Sequence, residues 1–177
     1  MADGPRGGRS AVGRLALGTM MGSHPLRRAR TLVSIGWARQ RLVPEAALAL
    51  LVARIRLLAV PFPKLAARWG SLIPVGDPRL MMPEASADAA ELARAIGWAV
   101  TATASVMPFK AMCIQQAVAA RGMLAQRGVA SVLHYGAGRD ETGALVAHAW
   151  LDAAGVKVTG YPIASGIAEI GAFVPPQ

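Results

Sequence analysis

The chain has a single cysteine, Cys113, so no internal disulfide forms, and a reducing cytoplasm is the simplest setting. Histidine is scarce too: His24, His134 and His148 are scattered, no Cys/His/acid cluster has metal-ligand spacing, and neither a metal nor a cofactor is expected. Aromatic residues make up only 5% and are not interleaved with the arginines. With no helix-turn-helix or RNA-binding signature, nucleic acid is not an expected partner. Long apolar runs are lacking as well. The most apolar stretch, Ala46 to Val60, carries Arg54 and Arg56 and falls short of the roughly 20 residues a membrane span requires. LALGTMMG near the start lacks a clear cleavage pattern after it, so it does not read as a signal peptide. There is no Gly-rich phosphate loop and no internal repeat.

What the chain does hold is ample apolar material: 54% over 177 residues, enough for one domain, or a compact catalytic core with an N-terminal extension. Its net charge of +9 is unevenly placed. Residues 1–70 carry twelve Lys/Arg against two acids, and residues 71–177 carry seven against eight. Such asymmetry is either a solvated basic face or a surface for an anionic partner, a membrane surface or an acidic protein before nucleic acid. A cytoplasmic protein with peripheral membrane contact through basic N-terminal helices fits this pattern.

Residues 1–30, rich in Gly and Arg without periodicity, are expected to form a disordered basic arm, and His24 within it has no chemical role. Residues 31–84 read as a helical region and linker. Pro44 fits the first turn of a helix to about Ala59 with a stripe of Leu48, Leu51, Val52, Ile55 and Leu58, widened by Leu50 and Leu57, so that the helix is mostly buried or packs on a partner. Pro61 and Pro63 stop it, a short helix runs from Lys64 to Trp69, and 71–85, with three prolines, is the linker. Residues 85–177 are the expected core. Ser86 caps a helix to about Val106 with a stripe of Leu92, Ala95, Ile96, Ala99, Val100 and Thr103, broken at Met107-Pro108.

The chemistry-bearing stretch runs from Cys113 to Trp150. Ile114, Ala117, Val118, Met123 and Leu124 recur at helical spacing, and Arg127-Gly128 would stop that helix, leaving Cys113 in its first turn. Two alternating runs follow, Val129 to Tyr135 and Ala144 to Leu151, joined by GAGRDETG as a hairpin, with a third strand at Val156 to Thr159. The tail to Phe173 is apolar enough to cover a sheet edge. Unpaired N–H groups at a helix start favour a thiolate and can hold an oxyanion. An imidazole on a neighbouring strand, His148, can take the thiol proton and pass it to a leaving amine. A lone Cys is otherwise a small buried hydrophobe and a lone strand His a structural residue. Gln115 or Gln116 either assists an oxyanion hole or faces solvent, Lys110 either binds substrate or faces water, and Trp150 shares the His148 face and shields its ring. His134 points away from the face of Leu133 and Tyr135 and reads as structural; Asp140 and Glu141 face solvent.

These residues carry a resemblance. LVPEAALALLVARIRLLAVPF, AIGWAVTATASVMPFKAMCIQQAVAARGMLAQRGVASVLHYG and AHAWLDAAGVKVTG resemble the lasso-peptide leader peptidases, the B proteins of lasso-peptide maturation, within the transglutaminase-like cysteine proteases. The likeness covers most of residues 42–177, and Pro-x-x-x-x-Cys, Leu-x-x-x-Gly and His-Ala-Trp together are fairly specific. It implies an α+β fold in which N-terminal helices precede a transglutaminase/papain-like core, a Cys-bearing helix packed on a small antiparallel sheet. It implies Cys113 as nucleophile and His148 as base and acid, in a cysteine endopeptidase that removes the leader from a lasso precursor peptide. The implied partners are that precursor, a separate leader-recognition protein and an ATP-dependent lasso cyclase.

The chain departs from the family at the third catalytic position. The family's Asp, about twelve residues after the His, falls here at Gly160. Asp152 lies ~13 Å along an extended strand from His148, at roughly 3.3 Å per residue, too far to orient the ring. A backbone carbonyl near Thr159 to Gly160, the Thr159 side chain or a water is left for that role. Two other readings stand beside the peptidase: another thiol acyltransferase or transglutaminase, and a non-catalytic scaffold that holds precursor for the cyclase.

Overall fold

The computed structural model describes residues 37–80, 85–140 and 142–175, all within one compact unit that runs from Ile35 to Gln177. The expected arm of residues 1–30 and the Glu141 side chain lie outside the described residues. The elements are α1 (Trp37–Gln40), α2 (Leu42–Ala59), α3 (Phe62–Ala66), β1 (Ser71–Pro74), α4 (Ala87–Ala104), α5 (Cys113–Ala125), β2 (Ser131–Arg139), β3 (Leu145–Ala153), β4 (Val156–Thr159) and β5 (Ile167–Val174), with 3-10 turns at Ala67–Trp69 and Pro78–Leu80. The class is α+β. One antiparallel sheet of order β1-β5-β2-β3-β4 is covered on one face by α4 and α5, and α2 packs on those two helices.

The helices follow local rules. The Ser86 hydroxyl accepts the Ala89 N–H at 3.2 Å and caps α4, whose buried residues Ala95, Ile96, Ala99, Val100 and Thr103 are the expected stripe. Gly97 lets α4 lie directly on β4, since a Cβ there would run into the Val158 carbonyl. Gly128, at φ 70°, ends α5, and the Val129 N–H returns to the Leu124 carbonyl at 3.0 Å.

Four expectations change. In α2 the buried residues are Leu42, Ala46, Leu50 and Ala53, whereas Leu48, Leu51, Ile55 and Leu58 of the expected stripe face outward. Both sides of this helix are apolar. The side with small residues wins because its alanines let α2 lie closely on α5, whose Ala117 and Ala120 share the same core, and close packing outweighs side-chain size. The stretch expected as a linker contains β1, an edge strand paired with β5 from Ser71↔Val174 to Pro74↔Gly171. The tail does more than cover an edge: β5 sits inside the sheet, between β1 and β2, with Gly171 to Val174 buried. The hairpin is also longer than the pattern suggests. β2 continues through Gly136-Ala137-Gly138, because those glycines admit β5 at close range, and the true turn is Asp140 to Ala144, closed by the Asp140 carboxylate on the N–H groups of Thr142 and Ala144. Among the described residues no helix is long and apolar enough to cross a membrane.

Candidate active site

Cys113 is the first residue of α5 and is half-buried against the helical core. The chain ahead of it is held by the two glutamines behind it. The Gln115 side-chain carbonyl accepts the Met112 N–H at 2.9 Å, and the Gln116 amide donates to the Ala111 carbonyl at 2.9 Å. Gln115 is buried. Both side chains are thus engaged in fixing the approach to the cysteine rather than aimed at an oxyanion or left in solvent. The N–H groups of Cys113 and Ile114 have no intrahelical acceptor and are the donors available to a developing oxyanion. Lys110 is exposed.

His148 sits mid-strand in β3, opposite Gly136 of β2. Its Nε2 lies 2.6 Å from the Gly160 carbonyl oxygen. A carbonyl only accepts, so Nε2 carries the proton and, in the neutral ring, Nδ1 is the basic nitrogen. Of the three groups left open for the orienting role, the backbone carbonyl fills it. Gly160 also explains the departure from Asp. Its φ is 83°, and a Cβ there would lie 2.5 Å from the Ala149 carbonyl and 2.8 Å from Cα and Cβ of Trp150. An aspartate cannot occupy this backbone, and the peptide oxygen supplies the acceptor instead. Trp150 stacks on the His148 ring with centroids 5.9 Å apart, as its place on the strand suggests.

Trp150 also stacks on His134, nearly parallel with ring centroids 5.5 Å apart. His134 is held by Glu169 through Nδ1 at 2.7 Å and by Asp152 through Nε2 at 3.4 Å. Burial opposes its charge, but the two carboxylates outweigh burial and raise its pKa above the ordinary histidine value. The Tyr161 hydroxyl donates to Asp152 at 2.7 Å, and burial followed by that carboxylate pushes the phenol upward. Asp152 is therefore committed to His134 and Tyr161, not to His148. Glu169 and Tyr161 escaped the sequence reading because their link to His134 exists only through the β2–β5 pairing and the chain beyond β4.

Strand alternation sets the relation of thiol to imidazole. Ala149, Leu151 and Ala153 belong to the core with α5, so His148, Trp150 and Asp152 lie on the sheet's other face. β4 pairs with β3 only from Leu151 to Ala153, which leaves the edge of β3 unpaired at His148. No hydrogen bond joins Cys113 to His148; among the described residues the ring's hydrogen-bond partner is Gly160. Among the described residues no group of three or more His, Cys, Asp or Glu is arranged to hold a metal ion.

A family model described as the transglutaminase-like superfamily matches residues 56–169. No curated protein and no solved structure matches the chain.

Proposed function

The chain belongs to the transglutaminase-like superfamily, and on that premise we propose that it is a cysteine endopeptidase that removes the leader from a lasso precursor peptide. The observation that carries the thiol chemistry is the His148 Nε2–Gly160 bond, which leaves Nδ1 as the base in a family whose enzymes work through cysteine. For the dyad to form, Sγ must reach Nδ1 around the unpaired edge of β3. In the reaction, Nδ1 takes the proton from Sγ, and the thiolate attacks the scissile carbonyl. The oxyanion is held by N–H groups at the start of α5. The tetrahedral intermediate collapses to a thioester as the imidazolium protonates the leaving amine, and water activated by Nδ1 then hydrolyses the thioester. The leader-peptidase assignment within the family rests on the resemblance of residues 42–177, and it brings with it a separate leader-recognition protein and a lasso cyclase as partners.

A second reading, a non-catalytic scaffold for precursor and cyclase, is favoured by one observation: Cys113 and His148 are not hydrogen-bonded to each other. Cleavage of the precursor, followed by mass spectrometry with recognition and cyclase partners present, separates the two. The native chain is expected to release the leader, and Cys113→Ala and His148→Ala to lose release with folding intact. Undiminished cleavage by Cys113→Ala would overturn the nucleophile. Slow alkylation of native Cys113 by iodoacetamide, at the rate of a small-molecule thiol or below, would point to the scaffold.

A further inference from the structure

Between α2, the turn after α3 and the middle of α5 lies a cavity of about 220 Å3. Its walls are largely apolar, Leu57, Trp69 and Val118 among them, yet three arginines are among the lining residues: Arg56 and Arg68, both exposed, and the half-buried Arg121. Arg121 is drawn inward to donate to the carbonyl oxygens of Trp69 and Phe173. Those two bonds tie α5 to the end of the Ala67–Trp69 turn and to β5, but they are bonds to neutral oxygens. No carboxylate pairs with Arg56, Arg68 or Arg121 among the described residues, and burial alone pushes Arg121 down to about 10. The acids of the neighbouring segment are already engaged, Glu45 with Arg127 and Asp77 with Arg79. A half-buried cation without a counter-ion, as Arg121 is, carries a desolvation cost that an anion offsets, and a guanidinium fork matches a carboxylate or phosphate in shape as well as charge.

We propose that this cavity is a binding site for an anionic group carried on a small apolar body, a carboxylate or a phosphate, with the anion held by Arg56, Arg68 and Arg121 and the apolar part lying against Leu57, Trp69 and Val118. The anion supplies the counter-charge that the half-buried Arg121 lacks, with Arg56 and Arg68 adding to the field at the cavity mouth, and the apolar walls exclude hydrophilic anions. The site is independent of the thiol chemistry at Cys113.

Titration calorimetry on the full chain at low salt, with hexanoate, phenyl phosphate and hexylamine as probes, tests this. Saturable binding of either anion with none of hexylamine is expected, and which anion binds more tightly identifies the group. Arg56→Gln and Arg68→Gln are exposed positions that leave the fold intact, and each is expected to weaken binding about tenfold, the scale of one charge-assisted hydrogen bond. Absence of saturable binding for both anions would overturn the site, as would unchanged affinity in the double variant or hexylamine binding as tightly as the anions.

Discussion

Replacing Gly160 by alanine isolates the group that orients His148. The new Cβ would stand 2.5 Å from the Ala149 carbonyl oxygen and 2.8 Å from two atoms of Trp150, on a residue held at φ 83°. The dihedral alone costs roughly 1–2 kcal/mol for a non-glycine residue. The overlap adds roughly 1–3 kcal/mol, because the atoms in the way are backbone and a Cβ, which no rotamer change can move aside. We expect a loss of about 3 kcal/mol, or a fall in Tm on the order of 10 °C for a unit of this size. Gly128→Ala is the control: its φ is 70°, but nothing lies within 4 Å of the added methyl, so it reports the dihedral cost alone. Thermal unfolding followed by circular dichroism gives both numbers. Because relief of the overlap would shift the Gly160 carbonyl away from Nε2, Gly160→Ala is also expected to lose precursor cleavage more than its stability loss explains at a temperature where it remains folded. A Gly160→Ala chain that melts no lower than Gly128→Ala would refute the close approach, and with it the account of why no aspartate stands there.

Leu50 is fully buried and Leu58 is 74% exposed. Leu50→Ala is therefore expected to cost about 2–5 kcal/mol in denaturant unfolding and Leu58→Ala less than about 0.5 kcal/mol; the opposite order would return α2 to the face its larger side chains suggest. The pH dependence of stability should carry the signature of His134. Its folded pKa is raised by Asp152 and Glu169 against the cost of burial, so the stabilisation is complete below the unfolded value near ~6.5 and is lost as pH rises through the folded value. The native chain should lose more Tm between about pH 6 and 8 than His134→Gln does. Equal slopes in the two chains, or an NMR titration of His134 below ~6.5, would show that the carboxylates do not hold the charge.

The parts of the protein legible in the sequence are those governed by near neighbours. The α4 stripe and its Ser86 cap, the break at Met107-Pro108, the Gly128 stop and the place of Cys113 at a helix start all follow from helical periodicity and turn chemistry, which act over a few residues. The β2–β3 pairing is local in the same sense, and Trp150 shields His148 because residues two apart on a strand share a face. Tertiary structure decided the rest. α2 is apolar on both sides, and only the close fit of its alanines against α5 chose which side is buried. β1 and β5 lie about a hundred residues apart, and no local pattern in SLIP or IAEIGAFV states that they pair; the pairing is won by the apolar surface buried when β5 enters the sheet. The Gly160 carbonyl became the acceptor for His148 through a left-handed backbone and a contact with Trp150 that exist only once β4 has turned back along β3. The half-burial of Arg121 without a carboxylate partner is likewise a product of the fold: as a residue it is one arginine among many, and its place is set by the carbonyls of Trp69 and Phe173, which only the packing of α5 brings to it.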